Sequence, residues 1–386
     1  MSWTTMNPPN KDILTPQPFY HFNHTSREWE EVIVTNPPPI TAPKHERKLK
    51  NKQQETTSYK IRLITWNIDF QQPAKSQRMR AALEYLFELL PSESESPQQA
   101  PINKGVSEEG QTDRDTYTIP SVIFLQEMEA SDLDLIQAAP WVRDRFYITD
   151  LDGAHWMGSS YGTTTLVEKR LVVQRVFRVH YGCSRMNRDG LFVDIDLHHG
   201  SEDEDVRKTK ALLLRLCNTH LESLTSIPPR RPGQLKLASE FMHGRNRNWD
   251  GSSDTESYKQ YTSKPHAAIL AGDLNAFAPE DLTAPVECGL EDTFLILGGK
   301  DGAEESFTWG QQVSKQLQKK FGCSRMDKML FCGGVRAEEL VRVGGGLKVW
   351  VEYPKYEDDD EEDEEDGEEM WVTDHLGLLG IFTIME

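Results

Sequence analysis

Four times along this chain a short apolar run ends in a cluster of Asn, Asp, Glu or His. Ile61–Trp66 runs into Asn67-Ile-Asp69, Ile119–Leu125 into Gln126-Glu127, Lys210–Asn218 into Thr219-His220-Leu221-Glu222, and His266–Ala271 into Gly272-Asp273-Leu274-Asn275. A fifth cluster, Thr373-Asp374-His375, opens the apolar run Leu376–Ile384. Runs of this length read as buried strands. Polar residues at the mouth of a buried strand need a partner or a task. Strands that present such residues at one end, with helices between some of them, favour stacked sheets flanked by helices with a single polar edge.

The remaining periodicities fit that frame. Ser76 is positioned to cap a helix whose Met79, Ala82, Leu83, Leu86, Phe87 and Leu90 share a face and which Pro91 stops. Shorter helices are expected near Ser131–Ala139 and from Pro232, the latter with Leu235, Ala238, Phe241 and Met242 inward. Strands are expected around Arg145–Thr149, Gly162–Glu168, Val172–His180 and Gly190–Leu197, with late ones at Met329–Phe331 and Leu347–Val351. Residues 1–57 are rich in Pro, Asn, Thr and charge and read as a flexible tail. Residues 58–386 read as one domain interrupted by low-complexity loops at 92–117 and 355–370.

Charge says little about partners until it is located. The net charge is −19, but Glu357–Glu369 alone contributes twelve acids and no base, leaving −7 for the rest. Lys44–Lys52 carries five basic residues and one acid, and reads either as a nuclear-import patch or as a solvated stretch of tail. The five cysteines are odd in number and show no CxxC or Cys/His metal spacing, which suggests a reducing compartment without disulfides or structural zinc. Met1–Asp12 lacks the apolar core of a secretory signal, and no run reaches the length of a membrane span. An intracellular protein, nuclear or cytoplasmic, is expected.

The strand-end residues taken together are Asn67, Glu127, His220, Asp273, Asn275, Asp374 and His375. Oxygen ligands without cysteine suit Mg²⁺, or Mn²⁺, rather than zinc. One carboxylate and one amide leave most of an octahedral shell for water and phosphate oxygens. A neighbouring carboxylate can activate water, and a histidine can stabilise charge on a phosphoryl group. Asp374 beside His375 can fix the imidazole tautomer or hold it protonated; the plain alternative is a turn Asp and a solvated His. The set describes metal-assisted phosphodiester hydrolysis. Two rival motifs fall short. Gly158-Ser-Ser-Tyr-Gly162 has the spacing of a nucleophile elbow, but the β-branched Thr163-Thr-Thr-Leu-Val167 follows where a helix is required. Gly333-Gly334 and Gly344-Gly-Gly346 lack the Lys-Ser/Thr of a phosphate loop.

Thr65-Trp-Asn-Ile-Asp69, Leu125-Gln-Glu127, Asn218-Thr-His-Leu-Glu-Ser223, Gly272-Asp-Leu-Asn275 and Thr373-Asp-His375 stand in the order of the endonuclease/exonuclease/phosphatase superfamily, which the chain resembles from about Tyr59 onward. The resemblance implies an α/β fold, a four-layer sandwich of two packed mixed β-sheets flanked by helices, and Mg²⁺-dependent phosphodiester cleavage. Within the superfamily the wording is most similar to 5′-tyrosyl-DNA phosphodiesterases: Thr-Trp-Asn-Ile-Asp, His220-Leu-Glu-Ser223 followed by Arg230 and Gln234-Leu-Lys236, and Phe321-Gly-Cys-Ser-Arg-Met-Asp327-Lys-Met. The implied substrate is a DNA 5′ end carrying a tyrosyl peptide, and a monomer is expected. Other members act on abasic DNA, RNA, phospholipids or inositol phosphates, and a silent nucleic-acid-binding scaffold is the alternative outside enzymes. The complete set of polar residues argues against a silent member.

Roles implied by the resemblance follow position by position. Glu127 would be the main metal ligand, with Asn67 supporting the metal water or phosphate. Asp273 would orient and deprotonate the attacking water, and Asn275 would position phosphate. His220 and His375 would stabilise the transition state, with Asp374 orienting His375. Asp327 would stand behind the residues that touch substrate, and Arg325 or Lys328 would lie near the DNA backbone. Tyr161 and Trp309 would either stack on terminal bases or serve as ordinary aromatic packing. Gly-Cys-Ser-Arg-Met occurs twice, at 182–186 and 322–326, which would place Arg185 and Arg325 on one rim if the copies are paired loops. Three departures stand out: Lys328 where Arg is usual, Ala276-Phe277-Ala278 where Leu-Arg-Asp is usual, and Thr373 in place of Ser.

Overall fold

A computed structural model describes residues 11–34, 58–91, 119–158, 160–198, 212–244, 264–352 and 367–386. The chain opens with three short strands, β1 (Leu14–Gln17), β2 (Tyr20–Asn23) and β3 (Glu28–Glu31). Next come β4 (Ser58–Asn67), α1 (Lys75–Leu89), β5 (Ser121–Glu129), α2 (Ala130–Ala138) and α3 (Pro140–Arg145). A run of strands follows: β6 (Phe146–Ile148), β7 (Tyr161–Glu168), β8 (Val172–His180), β9 (Asp189–Asp196) and β10 (Leu213–His220). Then come α4 (Arg231–Met242), β11 (Ala267–Asp273), α5 (Pro279–Glu287), β12 (Glu291–Asp292), α6 (Thr293–Ile296) and α7 (Lys315–Phe321). The last strands are β13 (Asp327–Gly333), β14 (Val335–Val343), β15 (Lys348–Glu352), β16 (Gly367–Trp371) and β17 (Gly377–Met385).

These strands form two large mixed sheets. One runs β1-β8-β9-β10-β11-β13-β12, the other β14-β17-β4-β5-β7-β6-β2-β3. Each has one parallel pair near its middle, β10 with β11 and β4 with β5. Alternation along the strands builds the layers. Ile61 and Leu63 of β4 point between the sheets, where they meet Phe124, Leu216, Ile269 and Phe382. Ile64 and Trp66, one residue out of step, point outward under α1 with Met79 and Leu86. On the opposite sheet, Phe192 and Leu270 point outward beneath Leu235 and Phe241 of α4. The result is the expected four-layer α/β sandwich.

The expected tail 1–57 is corrected in its described part. Phe19 and Phe22 are buried, β1 pairs with β8 and forms the edge of that sheet, and β2 pairs with β6 of the other sheet. Gln17 donates to Thr149 O at 2.7 Å and to Asp150 Oδ1 at 3.2 Å, so this segment clips the two sheets together. Its order comes from strand edges far along the chain rather than from local periodicity. The expected loop 355–370 is also shortened, because Gly367–Trp371 forms a strand on β15. The rest of that tract, the loop 92–117 and the basic stretch Lys44–Lys52 lie outside the described residues. The first long helix begins at Lys75, after Ala74 in the left-handed region, so Ser76 is inside it rather than capping it. All five cysteines are free, and among the described residues no helix is long and apolar enough to cross a membrane.

Candidate active site

Strand parity gathers the polar residues. Asn67 continues the inward series Ile61, Leu63, Thr65; His220 continues Leu214, Leu216, Asn218; Asp273 continues Ala267, Ile269, Ala271; and Asp327 precedes Met329 and Phe331. Each is the end position of a strand's inward face, so all four converge between the sheets at one edge. Glu127 has the wrong parity, since Ile123 and Leu125 point outward. A bulge between Leu125 and Met128, with Glu127 at φ 58°, turns its side chain back toward the site. Asp69 (φ 56°) and Asn275 (φ 47°) also occupy the left-handed region, so strained backbone clusters here.

Asp273 is the hub. Its carboxylate accepts hydrogen bonds from Asn67 Nδ2 (3.0 Å), from the Asn275 backbone N–H (2.8 Å) and from Asn275 Nδ2 (3.3 Å), and it lies 3.3 Å from His220 Nε2. Burial would raise its pKa, but the charge on His375 and the His220 hydrogen bond hold it below the usual carboxylate range. The two imidazoles are in opposite states. His220 Nδ1 is 2.6 Å from Arg188 Nη1. A guanidinium has no acceptor, so Nδ1 is the bare nitrogen and the proton sits on Nε2, facing Asp273. Burial and the Arg188 charge depress the His220 pKa to about 4. His375 Nδ1 pairs with Asp327 Oδ2 at 2.8 Å while its Nε2 lies 3.7 Å from Asp273. Burial opposes its charge, but Asp327, Asp273 and Asp374 outweigh burial and raise its pKa well above the ordinary value.

Two carboxyls lack such support. Burial pushes Glu127 up to about 7, partly offset by His375 and Arg188. Burial and Asp374 push Asp69 up to about 6, and its Oδ2 is buried without a hydrogen-bond partner. The loop 68–74 after β4 is fixed: Phe70 N–H donates to Glu127 Oε2 at 3.2 Å, Asp69 N–H donates to Asn67 Oδ1 at 2.9 Å, and Arg78 donates to the carbonyls of Ile68, Asp69, Gln72, Pro73 and Val372. Raised carboxyls with an orphaned oxygen and an amide oxygen beside them fit a hard divalent cation. Asp273, Asp327 and His375 also bring ligand atoms within 4.8 Å of one another. Asp327 in that group is also pushed up, to about 6, by burial, with Oδ1 unpartnered, but His375 is charged there and its Nδ1 is engaged by Asp327, so the group fits a cation less well.

Several expected placements change. Asp374 meets His375 only from the Nε2 side, with Oδ1 3.8 Å away, while its Oδ2 accepts from Trp309 Nε1 at 2.7 Å; the hydrogen bond that holds the imidazole, at Nδ1, comes from Asp327. Asn275 has both amide hydrogens engaged, by Asp273 and by Leu221 O at 3.2 Å, so it steadies Asp273 and is not free to position phosphate. Arg325 is buried with Asp292 (2.9 Å) and Asp301 (2.6 Å), and Lys328 is buried 3.9 Å from Asp292, so neither lies along a surface path for DNA. Burial, then Arg325, lowers the Lys328 pKa. Arg185 is exposed, so the repeated pentapeptides do not present an equivalent pair. Tyr161 is half-buried, stacked on Phe70 at 4.1 Å with Arg188 5.3 Å over its ring. Asp69, Phe70, Arg78 and Arg188 were not among the expected site residues; only Asp69 carried a signal, inside the Thr65–Asp69 motif.

The profile of the Endonuclease/Exonuclease/phosphatase family matches residues 64–375. Solved structures similar to this chain include a humanized D. rerio TDP2 carrying 14 mutations, at 17% identity over 84% of this chain and 98% of that one, TM-score 0.50. A C. elegans TDP2 is similar at 17% identity over 84% of this chain and 75% of that one, TM-score 0.50. No curated protein sequence matches this chain. At such identities the structural likeness concerns the fold, while the family match spans the whole candidate site. The chain belongs to the endonuclease/exonuclease/phosphatase family.

Proposed function

We propose that this chain is a divalent-metal-dependent phosphodiesterase, using Mg²⁺ or Mn²⁺, that hydrolyses 5′-phosphotyrosyl adducts of the topoisomerase II type from DNA ends and leaves a 5′-phosphate. The observation that carries the reading is Asp273, held as an anion between a neutral His220 and a charged His375. Glu127 and Asp69, with Asn67 Oδ1 beside them, would hold the cation. When bound, it would neutralise phosphoryl charge and lower the pKa of a bound water. Asp273 orients the attacking water and takes its proton. Asn67 and Asn275 keep that carboxylate from rotating. His375, charged and anchored through Nδ1, offers Nε2–H to a phosphoryl oxygen as negative charge develops there. His220 Nε2–H keeps Asp273 ionised.

The tyrosyl part of the reading rests on the motif wording and on leaving-group chemistry. A phenolate leaving group, with pKa ~10, needs less protonation than an alkoxide, whose parent acid is nearer ~15.7. We read the chain as an intracellular monomer of the nucleus or cytoplasm. The test is cleavage of a 5′-phosphotyrosyl oligonucleotide with Mg²⁺ or EDTA by wild type and Asp273→Asn. An abasic duplex, poly(A) RNA and p-nitrophenyl-thymidine 5′-phosphate serve as competitors. Mg²⁺-dependent release of a 5′-phosphate end, lost in the variant and preferred over the competitors, is expected. Activity confined to a competitor would discard the tyrosyl assignment and keep the metal-dependent hydrolase.

A further inference from the structure

Two residues beyond Asn275 the chain places an aromatic ring on the rim of the site. Phe277 lies with its ring 4.2 Å from the Arg231 guanidinium carbon, and it is 38% exposed. Arg231 itself is buried. It uses its edges for Asp281, with Nε 2.9 Å from each carboxylate oxygen and Nη2 2.9 Å from Oδ2, and for the Leu224 carbonyl at 2.8 Å. Its charge is therefore neutralised by Asp281, and its flat face is left to support the ring. Leu224, whose carbonyl takes that bond from the same Arg231, is 67% exposed and held at φ 64°, a conformation that leucine avoids without a tertiary reason. Leu224 follows His220 by four residues and Phe277 follows Asp273 by four, so both stand on the edge where the catalytic strands end. The related pattern has Leu-Arg-Asp after this Asn; here a ring replaces a cation.

We propose that Phe277, backed by Arg231 and flanked by Leu224, is a stacking platform for a nucleobase of the DNA strand whose 5′ end enters the site. The proposal rests on the phosphodiesterase reading and adds a specificity determinant to it. An aromatic face supported from behind keeps its orientation without a substrate, which lowers the ordering cost of binding. Stacking tolerates any base, so the platform selects single-stranded DNA without selecting sequence. It also selects nucleic-acid diesters over diesters that lack bases. Because stacking releases no counterions, its contribution is independent of salt.

Three variants test it: Phe277→Ala, Phe277→Leu, which keeps cover over Arg231 without an aromatic face, and Phe277→Trp. The readout is kcat/KM for a 5′-phosphotyrosyl oligonucleotide divided by kcat/KM for bis(p-nitrophenyl) phosphate, which has no base. That ratio should fall by about tenfold in the Ala and Leu variants and be restored in the Trp variant. In an Asp273→Asn background, 2-aminopurine near the 5′ end of a single strand should be quenched on binding, and Phe277→Leu should abolish the quenching while leaving the salt slope of affinity unchanged. An unchanged ratio in a folded Leu variant, or quenching that survives it, overturns the platform while tyrosyl cleavage stands. If wild type cleaves no phosphotyrosyl end, the substrate reading falls, and the quenching experiment still decides whether Phe277 stacks a base.

Discussion

Arg188 Nη1 and His220 Nδ1 are 2.6 Å apart, and this contact decides which nitrogen of His220 carries the proton. The loop after β8 thus reaches across to set the chemistry at the end of β10. Arg188 has a second neighbour in the Tyr161 ring, so one guanidinium fixes both an imidazole and an aromatic wall.

Replacing Arg188 by Met removes the donor and the nearby positive charge. The His220 pKa, now about 4, should rise toward its ordinary value, and either tautomer becomes accessible. The loss in kcat should be about a hundredfold, the lower range for a displaced acid–base group. NMR of the imidazole nitrogens reads the tautomer directly. A His220 spectrum unchanged by the substitution would refute the assignment.

Metal and pH are linked through Glu127. Its carboxyl titrates at about 7 in the folded protein, against ~4.3 in an unfolded chain. Between those values the folded state keeps a proton that the unfolded state has lost. Metal-free stability therefore falls as pH rises through that window and levels off above it. A cation binds the deprotonated carboxylate, so Mg²⁺ should raise Tm more at about pH 8 than at about pH 5.5, and Glu127→Gln should lose most of that gain. Thermal unfolding in Mg²⁺ and in EDTA at both pH values measures it; equal gains at both would contradict the linkage.

Asp327 and Asp374 should separate. Asp327→Asn removes the anion at His375 Nδ1, so the His375 pKa should fall toward its ordinary value and kcat by about a hundredfold. Asp374→Ala frees the Trp309 indole N–H, which it holds at 2.7 Å, and leaves Asp327 on His375 Nδ1. Trp309→Phe should mimic it, and the double variant should be no worse than the more damaging single one. Additive losses would show that Asp374 acts independently of Trp309.

Arg185 and Arg325 share a pentapeptide but not a fate. Arg185→Ala should weaken DNA binding and lower the salt slope by about one. Arg325→Ala leaves Asp292 and Asp301 without their buried partner and should cost about 3–5 kcal/mol of stability. Denaturant unfolding and salt titrations distinguish the two.

Sequence reading reached the site where strand alternation carried the information. Asn67, His220 and Asp273 could be placed because each ends an inward-facing series, and a buried strand advertises itself locally. Glu127 also stood out by position, although its parity points the wrong way and only the bulge corrects it. Asp327 meets His375 through sheet stacking and the approach of distant loops, which leaves no local trace, whereas adjacency in sequence points to Asp374. Arg188 belongs to no motif. The N-terminal strands carry little local signal because Pro16 and Pro18 interrupt the segment and their partners lie far along the chain. β14 carries little apolar signal because Val335–Val343 alternates toward solvent with charged residues, as an edge strand does.

β17 lies inside its sheet, between β14 and β4. A ribosome must therefore deliver residues near 385 before the flank of β4 is covered and before His375 can meet Asp327. Until that moment a nascent chain already carries Glu127, His220 and Asp273 but lacks the charged imidazole that completes them. A copy that stops short of residue 375 would therefore hold Glu127, His220 and Asp273 without the imidazole that faces them.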